Sequence, residues 1–343
     1  MREERVVGRF SVLKTIQHEP LFTTAACKHA WLTFIPQWMD WSDAVRAYIL
    51  EGMVHLAWFR IKEKIAKKVC QIIRQKIGVN VPPSIHDLEV VHHSPHYIII
   101  NKRYDILINS NSAADEVTVQ TQLRRKFPDL VNPKLGHEFM FAHRLDFATS
   151  GLLCISVHKK AAGAVTRSFV HKRVDKYYLA LVRGHVSKEM LDIYLPIGDD
   201  LRPEWRDVKM ATPLSRHVGR CKPAHTRLLV LQKGLYDDYP ATKLLLKPIT
   251  GRRHQLRVHL SESGHTIVGD FTYSNRRDLS PYRMFLHAVR LAFPSEYEQV
   301  DVRTNDPFTQ DDRRNKWTPV ETLNELTDDA YLKLKMGKKW YKR

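Results

Sequence analysis

Asp146 stands two residues from Arg144 in His143-Arg144-Leu145-Asp146, and the link Phe147-Ala148-Thr149-Ser150-Gly151 leads into the apolar run Leu152-Leu153-Cys154-Ile155. A charged pair at the mouth of a core strand contributes nothing to packing. It suits an ionised carboxylate presented to a substrate; the plain alternative is a solvated loop acid. Burial would raise its pKa, whereas a neighbouring guanidinium favours the charged form.

Short strands must hold this loop. Residues 88–91 and 97–101 read as strands, separated by His92-His93-Ser94-Pro95-His96. Beside proline, those histidines read as a turn in preference to a metal site. Residues 118–127 read as a helix with Val119, Leu123 and Phe127 on one side. A strand over 151–157, a basic helix over 161–172 and a strand over 176–182 follow, the last ending at Gly184. Strands recur at 224–231 and 241–248. The alternation of Leu256, Val258 and Leu260 is, taken alone, that of another strand.

Residues 1–85 differ in style. From Ser42, an N-cap type, apolar residues recur at helical spacing to about residue 77, and Gly78 is a stop signal. The second half of this stretch is basic. It reads as the solvated face of a packed helix, with an RNA-facing or membrane-facing helix as alternatives. Val81-Pro82-Pro83-Ser84 looks like a linker. From about residue 296 the chain turns polar, and six of its last eleven residues are basic: Lys333, Lys335, Lys338, Lys339, Lys342 and Arg343. The expected organisation is a helix-rich extension over 1–85, an α+β catalytic domain over 86–295, and a polar basic tail over 296–343.

The 343 residues are 43% hydrophobic and 27% charged, enough for a globular protein with a real core. The formal net charge of +18 points to nucleic acid, because lysine and arginine neutralise phosphate. An acidic membrane surface is the second explanation. No run reaches the ~18 apolar residues of a membrane helix; the best candidate, residues 48–59, is interrupted by Glu51 and His55. The early acids Glu3 and Glu4 speak against a secretory or transit peptide. Cys27, Cys70, Cys154 and Cys221 show no zinc spacing and read as reduced thiols of an intracellular protein, with Cys154 in the core. Cytoplasm, nucleus and mitochondrion all stay open. There is no G-x-S-x-G, P-loop or H-E-x-x-H to support a serine hydrolase, an NTPase or a zincin.

Several segments, in order, resemble one family. His143-Arg144-Leu145-Asp146 with Thr149-Ser150-Gly151 is similar to the signature of the RluA-type pseudouridine synthases. The stretch 90–102, ending in Asn101-Lys102, resembles the family's opening hairpin. Lys176-Tyr177-Tyr178-Leu179-Ala180-Leu181-Val182 matches K-x-Y-x-A-x-V, and Lys222-Pro223-Ala224 with Thr226 has a common spacing before the central strands. Residues 250–260, from Thr250-Gly251-Arg252 to Val258-His259-Leu260, match T-G-R-x-H-Q-x-R-x-H; Gly264-His265, Gly269-Asp270 and Leu286-His287-Ala288 complete the series. The resemblance covers about residues 88–294.

The resemblance implies a pseudouridine synthase fold, α+β with a mixed, mainly antiparallel sheet. It implies an enzyme that breaks the C1′–N1 bond of a uridine in RNA, turns the base and rejoins it through C5, with no metal or cofactor. Asp146 matches the essential aspartate, which attacks carbon or assists loss of a ribose proton. Arg257 matches its arginine partner, on a motif the family carries on a helix with Gly264 as the stop. Tyr178 matches the tyrosine that stacks on the base, and Arg144 the residue that supports the flipped nucleotide. His143, Lys176 and Arg252 are further candidates for contact with RNA; His254, His259 and His287 read as structural, and so does the ring of His143. A base in a stacked duplex must be extruded to be reached. The chain departs from the family in continuing Asn101-Lys102 with Arg103-Tyr104-Asp105 where relatives usually have Pro-x-Gly, and in showing no S4-type pattern over 1–85, as in the eukaryotic branch. A monomer acting on tRNA, rRNA or mRNA is expected. The alternative is a non-catalytic RNA-binding or RNA-folding protein on the same scaffold, and a third reading is a membrane-associated protein.

Overall fold

The computed structural model describes residues 81–110 and 117–337. The helix expected over 42–77 and the last six residues lie outside them. The described residues form thirteen strands and four α-helices. Eleven strands make one sheet, and two short strands, β7 (Gly198–Asp199) and β8 (Met210–Ala211), pair separately.

The sheet begins with the expected hairpin, β1 (Glu89–His93) against β2 (Tyr97–Lys102), and continues through β4 (Ser150–Ser156). Next come β11 (Leu286–Pro294), β5 (Asp175–Arg183), β10 (Tyr239–Pro248), β9 (Thr226–Tyr236) and β13 (Trp317–Thr322). β3 (Met140–Phe141), β6 (Met190–Ile193) and β12 (Gln299–Arg303) pair at its flanks. All pairings are antiparallel except β4 with β11. The mixed, mainly antiparallel α+β expectation therefore holds.

Both faces of the sheet are covered, so its strands read as continuous apolar runs. Along β2, Ile98 and Ile100 enter the main core, while Tyr97 and Ile99 enter a second cluster with Leu152, Cys154 and the helix residues Ala161 and Val165. That is the period-two alternation of a strand. α1 (Val119–Lys126) starts at a capping box of Thr118 with Thr121 and buries Val119 and Leu123. α2 (Lys159–Val170) covers the second cluster, its first turn capped by His158.

α3 (Gln255–Glu262) lies where alternation alone suggested a strand. Residues 255–260 are all buried, with Leu256 and Leu260 in the main core and Val258 in a separate cluster with Met210 and Tyr273. A helix packed on every side carries no amphipathic stripe to distinguish it from a strand. It ends as Gly264 predicts: Gly264 has φ +82°, its N–H reaches the Ser261 carbonyl, and the His265 N–H reaches that of Leu260.

The segment from residue 296, read as a polar tail, instead supplies β12, β13 and α4 (Asp328–Met336). α4 buries Ala330, Tyr331 and Leu334, and Tyr331 meets Tyr177 edge-on with ring centroids 4.9 Å apart. Arg290 and Arg303 lie over the Tyr331 ring. Few apolar residues suffice there because cations spread over aromatic faces supply the contact.

The single parallel contact explains one motif glycine. His287 pairs with Ser150 and Ala288 with Gly151, which has φ +110°. A side chain on Gly151 would overlap the backbone of Ala288. We expect Gly151→Ala to cost roughly 2–4 kcal/mol, as steric and backbone strain add. Gly136→Ala, at a site with nothing within 4 Å, should stay within about 0.5 kcal/mol of the parent. Urea unfolding of both variants checks the contrast.

Candidate active site

Asp146 sits on a loop pinned from three directions. Leu145 is buried in the core while Arg144 on its other side is exposed. The Thr149 N–H closes a turn on the Asp146 carbonyl at 3.1 Å. From the end of β2, the ammonium of Lys102 donates to the carbonyls of Arg103 at 2.8 Å, Ile106 at 3.0 Å and Phe147 at 3.1 Å. Burial pushes this ammonium down to about 7, against the pull of Asp105 and Asp146. Sequence reasoning assigned Lys102 no role; its signal was its place in the Asn-Lys pair of the hairpin.

The departure at Arg103-Tyr104-Asp105 falls in a bend just after β2. Asp105, where relatives usually have glycine, adopts φ +55°. Aspartate is among the few residues that tolerate this left-handed conformation. The Tyr104 ring lies 4.4 Å from the guanidinium carbon of buried Arg283, whose Nη2 donates to Ser150 Oγ at the start of β4. The altered turn is thus packed into the support of the Asp146 loop.

Arg257 approaches Asp146 from α3. Its Nη1 lies 3.3 Å from Asp146 Oδ2, across 111 residues of sequence. The rest of the guanidinium is held by Asp270, with Nε to Oδ2 at 2.7 Å and Nη2 to Oδ1 at 2.8 Å. Asp270 also accepts the Tyr273 N–H at 3.0 Å, and the Tyr273 ring lies 5.0 Å from the guanidinium carbon. The fork is therefore spent on a fully buried acid, which leaves one N–H edge for Asp146. Asp270 was visible in sequence only as part of Gly269-Asp270.

Burial pushes the Asp146 carboxyl up, but His254, Arg257 and Arg144 pull it down further, and it ends below the usual carboxylate range. His254 Nε2 is 3.8 Å from Asp146. Its own pKa is pushed to about 3, first by burial and then by Arg257. That ring is neutral at pH 7, so Arg257 is the cation that holds Asp146 ionised. His254 also caps α3 with φ +53°, an uncommon conformation for a non-glycine residue.

The rest of the motif is scaffold. The buried Gln255 amide donates to the His225 carbonyl and Thr226 Oγ1, both at 2.9 Å. Its oxygen accepts from Thr250 Oγ1 at 2.7 Å and from the Arg252 N–H at 3.0 Å. His259 bridges Thr226 Oγ1 and the Leu195 carbonyl at 2.9 and 2.8 Å. His287 joins Ser150 to Thr304, and His143 Nε2 accepts the Cys154 N–H at 3.1 Å. Burial drives both of these rings down to about 3, so they are neutral hydrogen-bonding groups. His143 thus stands behind the loop, bound to backbone. Arg252 is exposed, its Nε on the Pro223 carbonyl at 2.9 Å.

Tyr178 and Lys176 project from one face of β5. Tyr178 is buried, and burial followed by the charge of Asp146 pushes its phenol up, so the hydroxyl keeps its proton at neutral pH. Among the described residues no group of three or more His, Cys, Asp or Glu side chains is arranged to hold a metal ion. No helix among them is long and apolar enough to cross a membrane.

Comparison with known proteins gives the family and the fold. The family model described as RNA pseudouridylate synthase matches residues 96–262. The RNA pseudouridylate synthase domain-containing protein 1 of Danio rerio is 45% identical over 72% of this chain and 84% of its own length. The dual-specificity RNA pseudouridine synthase RluA of Pasteurella multocida is 35% identical over 62% of this chain and 89% of its own length. The chain belongs to the RluA-type pseudouridine synthase family. The solved structure of human RNA pseudouridylate synthase domain containing 1 superposes with a TM-score of 0.66 at 41% identity, over 75% of this chain and 98% of that one. The fold and the family are those implied by the motifs.

In this site the cation in direct contact with Asp146 is Arg257, and exposed Arg144 adds to its effect. Replacing Arg257 by Met removes the buried cation that touches Asp146 and should raise the Asp146 pKa. The acid titration then moves up through the ordinary carboxylate range. The same change leaves buried Asp270 without its counter-charge, at roughly 3–5 kcal/mol. A carboxyl-detected NMR titration of the parent and the variant reads the shift.

Proposed function

We propose that this chain is an active RNA pseudouridine synthase that isomerises uridines in RNA through Asp146, on a nucleotide turned out of its stack. The observation that carries this reading is the Arg257 guanidinium shared between Asp270 and Asp146. It supports a partly dry pocket in which one carboxylate stays charged. Both routes open to the aspartate need that ionised form: attack on ribose carbon, and help in removing a ribose proton. In either, the C1′–N1 bond breaks, the base turns, a C5–C1′ bond forms, and the C5 proton leaves while N1 regains one.

Tyr178 provides an aromatic face for the turned base, as expected of an extruded nucleotide. Its phenol is held in the neutral form, so it relays a proton near C5 rather than acting as a ready-made phenolate base. Arg144, exposed beside Asp146, is placed to support the displaced stack. The chain's +18 charge supplies general affinity for RNA.

Asp146→Asn should lower the rate of pseudouridine formation by on the order of 10³-fold or more, with RNA affinity within about twofold of the parent. Tritium release from C5 of uridine-labelled bulk RNA, run beside a binding titration, measures both. A normal rate in the variant removes Asp146 from the reaction. A parent protein that binds RNA and isomerises nothing would establish the non-catalytic alternative.

A further inference from the structure

Lys176 differs from the other buried cations near the site. Lys102 is held by three carbonyls, and Lys247 is paired with Asp175. Arg257 has its two acids. Among the described residues, the contacts of the Lys176 ammonium are an aromatic face and charges of its own sign. Phe169, at the end of α2, lies with its ring centroid 5.5 Å away. Burial pushes the ammonium down to about 8, and Lys247 lowers it further. Lys176 in turn depresses His143, which is neutral. Asp175, next in sequence, is taken by Lys247 and Lys335. A desolvated ammonium without an anion is costly, and the cost is relieved when an anion arrives.

The Lys176 ammonium faces the turn before α3, and its charge reaches His143 of the Asp146 loop. The ammonium is 3.6 Å from where a side chain on Gly251 would begin, and the glycine keeps that approach clear. Arg252 follows, exposed. Lys176 and Tyr178 are two residues apart on one strand, hence on the same face and roughly 7 Å apart. That is about the reach from a base to a phosphate of its own or the adjoining nucleotide.

We propose that Lys176, with the open turn at Gly251 and Arg252 beside it, forms a phosphate subsite that seats the RNA backbone next to the nucleotide held at Tyr178. This deepens the proposed function and rests on it for the position of the base. Seating the phosphate restores the ammonium's full charge, so binding takes up a proton at mildly alkaline pH.

The probe is a fluorescein-labelled uridine dodecamer RNA, titrated into the full chain across 50–200 mM salt. Lys176→Met should reduce the slope of log affinity against log salt by about 0.7, one single-strand phosphate contact. Lys176→Arg should keep the slope. Calorimetry at pH 8 in buffers of different ionisation heat should show uptake of about half a proton for the parent and none of that uptake for either variant. Urea unfolding confirms that both variants fold; the arginine variant carries the test alone if the methionine one does not. An unchanged slope in Lys176→Met, or uptake retained in Lys176→Arg, overturns the subsite. Failure of the parent to make pseudouridine would instead overturn the function and leave the phosphate contact to be judged by these titrations.

Discussion

One guanidinium shared by two carboxylates organises this protein. Arg257 gives its fork to Asp270, which is fully buried, and its remaining edge to Asp146, which opens to the cleft. The first contact orients the cation and the second uses it. Without Asp270 the arginine would be a flexible charge near an acid; with it, the positive charge arrives at Asp146 at a set distance and angle. The shared pair also requires the loop before β4 and the helix after β10 to meet. The parallel contact of β4 with β11 and the network around Gln255 are what bring them together.

The electrostatics around that pair show the same division. Four histidines crowd the site or its supports, and burial keeps those at 143, 254 and 287 neutral. They act as hydrogen-bonding spacers that fix strands and helix ends, so they do not compete with Arg257 in setting the charge of Asp146. His259 does the same between β9 and the Leu195 carbonyl. Lys102 spends its ammonium on three carbonyls of the Asp146 loop and its neighbouring turn. A buried cation used in this way holds backbone whose carbonyls would otherwise be unsatisfied.

Much of the fold was legible because the strands in its centre are apolar on both faces and bounded by turn residues. The hairpin of β1 and β2, the helix capped at Thr118 and the strand with Tyr178 follow from period and punctuation. One local pattern pointed the wrong way and one reading needed correction, each for a physical reason. α3 looked like a strand because a helix enclosed on all sides lacks a polar stripe. The segment after residue 296 looked like a tail because α4 and β13 attach through aromatic rings, arginines and a few apolar residues. Asp270 and Lys102 escaped notice because nothing in their local sequence distinguishes a buried partner from a surface charge.

The sequence by itself determined the family and the order of its motifs, and it singled out Asp146, Tyr178 and Arg257 as candidates, because these are matters of residue type at fixed local spacing. Which acid holds Arg257, which cation touches Asp146, and which lysine has no anion among the described residues were decided only by the tertiary structure. Those properties depend on desolvation and on distances between segments a hundred residues apart, and neither is written in any local stretch of chain.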